Sequence, residues 1–291
     1  MPMANDITDY CCNDFLRPLF WWPCPAWTML ISNQKPIPRV VMRKLCMGLV
    51  LLIGSVAGAE SISLRADVWF PMNGEAGSSR PGYMIEVADK VFGAAGYQLD
   101  YSNQPWVRAV RDVREGLADC VVGAYWIDTP DFVFGEEPLG MDIQAFFVRR
   151  DHPFRYRGQA QDLRGLRLGV IGGYAYGEEY DRLIRLSGAI SEPMNDDNAL
   201  EQNIRKMLAG RIDTTLESKF VMQAKLKDLG LQQQVIMAGQ FGEPTPMYIA
   251  CSPIKPTSKH YVTLLDNGIR AMRASGELQV ILQRYGLADW Q

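Results

Sequence analysis

A short pattern that occurs twice constrains this chain more than any other feature. A helix with one apolar face runs into Gly116, and after two residues Asp119 leads into Cys120, Val121 and Val122. Ninety-four positions later Leu208 and Ala209 run into Gly210, then Asp213, then Thr214, Thr215 and Leu216. Each copy has the order helix, Gly stop, Asp, strand. A period this long is not a solenoid, so the expectation is two similar α/β lobes, each with a mostly parallel sheet flanked by helices. Coincidence between two ordinary helix-to-strand turns is the competing explanation.

In the first copy Trp106, Val110, Val113 and Leu117 share a helix face, while Arg108, Arg111, Asp112, Arg114 and Glu115 point elsewhere. The run Cys120 to Val122 suits a strand covered on both sides. Ligands of open α/β sheets gather beyond the carboxyl ends of such strands, which places Tyr125, Trp126 and Asp128 at a site.

At 291 residues the chain is long enough for two domains. A formal charge of −3, two histidines and no basic block argue against nucleic acid as a partner. His152 and His260 are far apart and no Cys pair has zinc-ligand spacing, so neither a metal nor another cofactor is expected. Of six cysteines, Cys11, Cys12, Cys24 and Cys46 precede residue 60. Cys120 and Cys251 lie in strand-like runs and are read as two small buried hydrophobes in preference to a disulfide.

Residues 42–59 have the layout of a cleavable secretory signal, with Arg43 and Lys44, an apolar run from Leu45 to Val56, then Ala57, Gly58 and Ala59. The run falls short of the ~20 apolar residues that cross a bilayer. A periplasmic product beginning at Glu60 is expected. Residues 1–41 show no periodicity and are read as a mis-assigned or disordered extension, with Met42 as the true start.

The remaining order gives a first lobe of residues 60–149 plus 248–291 and a second of 150–247. A strand from Ser63 ends in Val68, Trp69 and Phe70, and a helix with Met84, Ile85, Val87, Ala88, Val91 and Phe92 inward follows. The apolar run from Ile143 to Val148 closes the first lobe. The second opens with a strand running into Gly172 and Gly173, and the run from Met247 to Cys251 is the return crossing.

These residues together resemble the family 3 extracellular solute-binding proteins, receptors of polar amino acid ABC importers. The resemblance implies the type II periplasmic binding protein fold, with two lobes closing about a hinge on a small polar ligand. It implies a monomer working with an ABC permease in the inner membrane, or with a sensor kinase. By the same resemblance Trp106 matches the aromatic residue that stacks on the ligand, and Tyr83 the aromatic that opens the first helix.

Three positions depart from the family pattern. The carboxylate-binding Arg after the Thr-Pro pair is absent: Thr129 and Pro130 are followed by Asp131 and Phe132. Arg108 is the candidate substitute, with a solvated helix face as the alternative. The Gly-Thr-Thr turn becomes Gly173, Tyr174, Ala175. The amine-binding Asp becomes Ser218 beside Glu217, which is placed either to meet a ligand amine or to cap the next helix. The candidate pocket is therefore aromatic, from Trp69, Phe70, Tyr83, Trp106, Tyr125, Trp126, Tyr174 and Tyr176, with core packing as the competing role for each.

No nucleophile with a base partner is evident, so a binding protein is expected and not an enzyme. The main rival is a periplasmic enzyme resembling cyclohexadienyl dehydratases, with Glu217 or Asp128 as general acid.

Overall fold

Two five-stranded sheets of the same plan carry the chain. The computed structural model describes residues 60–196 and 198–291. The expected signal at 42–59 and the extension 1–41 lie outside the described residues. In the first sheet β1 (Ser61–Ala66) pairs in parallel with β2 (Gln98–Asn103) and β3 (Cys120–Ala124). Next to β3, in antiparallel register, runs β10 (Thr245–Cys251), and beyond it β4 (Gly140–Asp142). The second sheet repeats this order: β7 (Ile190–Met194), β6 (Arg167–Ile171) and β8 (Thr214–Ser218) are parallel, followed by antiparallel β5 (Gln144–Arg149) and β9 (Val235–Gln240).

Helices cover both faces of each sheet. In the first lobe α1 (Tyr83–Ala94), α6 (Ser258–Ser275) and α7 (Glu277–Arg284) share one core with Ile62 and Leu64 of β1. On the opposite face α2 (Trp106–Arg114) buries Ala109, Val110 and Val113 against Val121, Ala124 and Ala250. In the second lobe Phe146 and Val148 point toward α3 (Gly177–Ser187), whereas Ala145 and Phe147 point toward α4 (Ala199–Leu208) and α5 (Lys219–Asp228). Successive β5 side chains alternate faces, so a strand covered twice must be apolar throughout.

The recurring pattern marks one device used twice. Gly116 and Gly210 take φ of 74° and 69° where each helix stops. Asp119 Oδ2 accepts the Ser63 backbone N–H at 2.8 Å, and Asp213 Oδ2 accepts that of Arg167 at 2.8 Å. Each Asp thus holds its strand to the neighbouring parallel one, and each has a cation: Lys255 at 2.7 Å from Asp119, Arg167 at 2.9 Å from Asp213.

Several expectations need correction. The run at 143–148 does not close the first lobe, because β5 lies between β8 and β9 in the second sheet. The chain crosses at Ile143, where β4 ends and β5 begins. Likewise residues 245–247 belong to the first sheet, since β10 pairs with β4 from Thr245 onward; the return crossing precedes it. The sheets are mixed, their parallel parts being β2-β1-β3 and β7-β6-β8. β1 stops at Ala66, and Trp69 sits in a turn bridged to Asn73. Leu117, past the end of α2, is exposed. Cys120 and Cys251, directly opposed on β3 and β10, form a disulfide.

Candidate functional site

The loops that follow the parallel strands of both sheets converge at the crossings. From the first lobe come Asp67, immediately after β1, and Tyr125 and Asp128, after β3. From the second come residues 172–176, after β6, and Glu217, the penultimate residue of β8. This is the carboxyl-end location where open α/β sheets hold ligands.

Side chains join across the lobes there. The Trp69 indole Nε1–H donates to Glu217 Oε1 at 3.1 Å. The Tyr174 hydroxyl donates to Asp67 Oδ2 at 2.5 Å. At the hinge the Ser218 hydroxyl donates to Asp142 Oδ1 at 2.5 Å, and Asp142 Oδ2 accepts from the Tyr125 hydroxyl and Gln144 Nε2, both at 2.6 Å. Ser218 also caps α5, where its hydroxyl accepts from the Val221 N–H. The Tyr125 ring meets the Trp69 ring edge-on at 6.1 Å, and Tyr174 lies 6.3 Å from Tyr176.

Local backbone makes these approaches possible. At the end of β3, Gly123 has φ 84°, and a Cβ there would lie 3.0 Å from Asn73 Oδ1 and 3.4 Å from the Trp69 ring. Gly173 has φ 83°, and a Cβ there would stand 2.6 Å from Val107 Cγ2 on the first turn of α2. Both positions suit glycine for conformation and for space.

Electrostatically the site is one-sided. Burial pushes Glu217 up to about 7 against the pull of the Trp69 and Ser218 hydrogen bonds, with the charges of Asp142 and Asp67 adding to the rise. Asp128 is likewise pushed to about 7 by burial and by Asp67. Burial also raises Asp67 and Asp142, despite the hydroxyls that donate to them. Tyr125, Tyr174 and Tyr176 are pushed well above the usual phenol range by burial and by these carboxylates, so they stay protonated donors.

Of the residues predicted from sequence, Trp69, Tyr125, Gly173, Tyr174, Tyr176 and Glu217 come together. Four do not. Trp106 packs half-buried on the α2 core of the first lobe, because the apolar face that identified the helix includes it. Arg108 is exposed on that helix, and its guanidinium makes no hydrogen bond or ion pair among the described residues. Trp126 is 63% exposed on the lip of the loop. Tyr83 is buried in the first-lobe core, where its hydroxyl faces Gly140. The two positions considered for a carboxylate-binding Arg are structural: Asp131 accepts twice from Arg114, and Phe132 is buried beneath the same guanidinium.

Asp67, Asn73, Asp142 and Gln144 were missed. For Asp67 a signal existed, an acidic residue directly after the alternating strand Ser61–Ala66, but extending that strand to Phe70 hid it. Asp142 and Gln144 gave none, since β4 is only three residues long.

Comparison with solved structures supports the architecture. A Streptococcus mutans protein of glutathione import, GshT, superposes with a TM-score of 0.68 at 16% identity, over 79% of this chain and 96% of that one. An ancestral arginine-binding protein bound to arginine gives 0.65 at 16%, over 77% and 97%. A histidine kinase sensor domain similar to periplasmic binding proteins gives 0.64 at 18%, over 79% and 98%. No curated protein sequence matches the chain. Residues 66–288 match the family model described as bacterial extracellular solute-binding proteins, family 3, and with two such lobes meeting at their strand ends the chain belongs to that family.

Proposed function

We propose that the protein captures a small polar solute between its two lobes in the periplasm and delivers it, as a monomer, to an ABC permease of the inner membrane. The observation that carries this reading is the pair of contacts across the lobes, Trp69 to Glu217 and Tyr174 to Asp67. Groups that would hold a solute come from both halves, so a bound solute favours the closed arrangement by whatever extra affinity it has for that state. Family membership supports the same reading. Export by residues 42–59 is part of the proposal.

The test is a thermal-shift screen of the purified protein against amino acids, amines and small organic acids, with small-angle scattering on each hit. The expected result is a compound that raises the melting temperature by several degrees, contracts the particle, and does neither in Tyr174→Phe. Stabilisation by every hit without contraction, unaffected by that substitution, defeats the reading.

Glu217 and Asp128, at about 7, also have the acidity that general-acid work requires. A dehydratase acting on an acidic substrate such as prephenate would, however, have to bring more negative charge to four carboxylates. Conversion of prephenate by the purified protein would nonetheless establish the enzyme.

A further inference from the structure

Asp67, Asp128, Asp142 and Glu217 take part in none of the ion pairs among the described residues. Carboxylates elsewhere in the molecule do find cations, among them Asp131 with Arg114, Asp119 with Lys255 and Asp289 with Arg273. Other carboxylates also lack an ion pair, buried Asp266 among them, but these four are gathered where the lobes meet.

The hydrogen-bond balance leans the same way. Asn73, fully buried beside the Trp69 ring and Gly123, leaves Oδ1 without a partner. Gln144 gives its Nε2 to Asp142 and Tyr125 and leaves Oε1 buried and unpartnered, as is Asp128 Oδ1. Glu217 is 4% exposed; its Oε1 accepts twice, while its Oε2 accepts nothing among the described residues. All of these are acceptors. Four donors of the cluster, the hydroxyls of Tyr125, Tyr174 and Ser218 and the Trp69 indole, are already given to its carboxylates. Two hydroxyls stay uncommitted, that of Tyr176, which accepts from the Ile171 N–H, and that of Thr129, buried without a partner. A ligand carboxylate would thus find few donors against many open acceptors, whereas an ammonium brings three N–H donors and a guanidinium five. The rings of Trp69, Tyr125, Tyr174 and Tyr176 provide faces for a cation and for an alkyl chain between cations.

The acidic groups come from separate elements, Asp67 after β1, Asp128 after β3, Asp142 at the end of β4 and Glu217 in β8. Among the described residues no three of His, Cys, Asp or Glu converge on a point that a metal ion could fill. Separated carboxylates suit an extended ligand with charge at more than one place.

The geometry points to an organic cation without a carboxylate as the ligand, of the diamine, polyamine or amino-guanidine class. This rests on reading the cleft as the ligand site, and it replaces the amino acid that the family resemblance suggested.

Binding should weaken in acid, since a cation favours ionised carboxylates. Glu217 is faced by the Trp69 indole, the Ser218 N–H and the charges of Asp142 and Asp67; Asp128 is faced by the Tyr125 N–H and Asp67. For one carboxyl group titrating near 7, passing from pH 8 to pH 5.5 lowers the ionised fraction about 30-fold.

The experiment is calorimetric titration of the purified protein at pH 8 and pH 5.5 with matched pairs that differ only in a carboxylate: putrescine and ornithine, cadaverine and lysine, agmatine and arginine. Spermidine and a set of neutral and acidic amino acids complete the panel. The expected result is at least one decarboxylated compound or spermidine binding ten times tighter than any amino acid, with a further tenfold loss at pH 5.5. Glu217→Gln and Asp67→Asn, checked for folding by circular dichroism, should each weaken that ligand at least tenfold. An amino acid that binds as tightly as its decarboxylated partner overturns the cation inference and leaves the receptor reading intact. So does binding of acidic or neutral compounds alone. Failure of the whole panel, together with failure of the broader solute screen, overturns both.

Discussion

Glu217 concentrates the physical tension of the site in one side chain. Its ordinary carboxyl value is 4.5, and in the folded chain it is raised to about 7. The folded state therefore holds its proton longer than the unfolded state, so the associated stability is complete below about 4.5 and is lost as pH rises through 7. The difference is on the order of 3 kcal/mol for a shift of this size. Glu217→Gln should accordingly raise the ligand-free melting temperature at pH 8 and leave it nearly unchanged at pH 4.5, as scanning fluorimetry at the two pH values would measure. The sequence singled out Glu217 from its place beside a departed family position, but not Asp67 and Asp142, whose charges act on it. Local pattern identifies a residue at the end of a strand; it carries no record of which other strand ends are folded against it. Trp106 shows the opposite error, a large aromatic whose helical spacing is explained by the α2 core it joins.

Among the elements, most helices and strands were legible because periodicity records how many faces of an element are covered. Sheet membership was not. β5 is apolar on both faces in either sheet, and only its long-range partners, β8 and β9, decide which one it enters. The disulfide was illegible for the same reason: 131 residues separate Cys120 from Cys251, and only the antiparallel register of β3 with β10 sets them opposite each other. A bridge closing so long a segment restricts the unfolded chain strongly, by about 4 to 5 kcal/mol in the chain-entropy account. The double substitution Cys120→Ala with Cys251→Ala should lower stability to urea by about 2 to 4 kcal/mol, the usual range for native bridges. An unchanged urea midpoint would mean that the strand pairing alone sets the stability of this sheet.

At the scale of the whole molecule, approach of the two lobes depends on contacts between small or flat surfaces. Gly173 faces Val107, and Gly177 faces Ile127 at 3.1 Å from the position a Cβ would take. Gly173→Ala adds a methyl group 2.6 Å from Val107 Cγ2 at a backbone φ of 83° that alanine disfavours. The expected outcome is a chain whose lobes stay apart, seen as a larger radius of gyration and at least tenfold weaker ligand binding, with the secondary structure retained. A radius equal to that of the unmodified protein would place the contact outside the closing path.

The exchange of strands between the halves also bears on how the molecule is made. The first sheet lacks the member between β3 and β4 until β10 is supplied, and that strand comes only after every strand of the second sheet. During synthesis the later half of the sequence therefore has its sheet complete first. The earlier half waits, with one side of β3 uncovered, and is exposed to wrong partners for as long as the insertion takes.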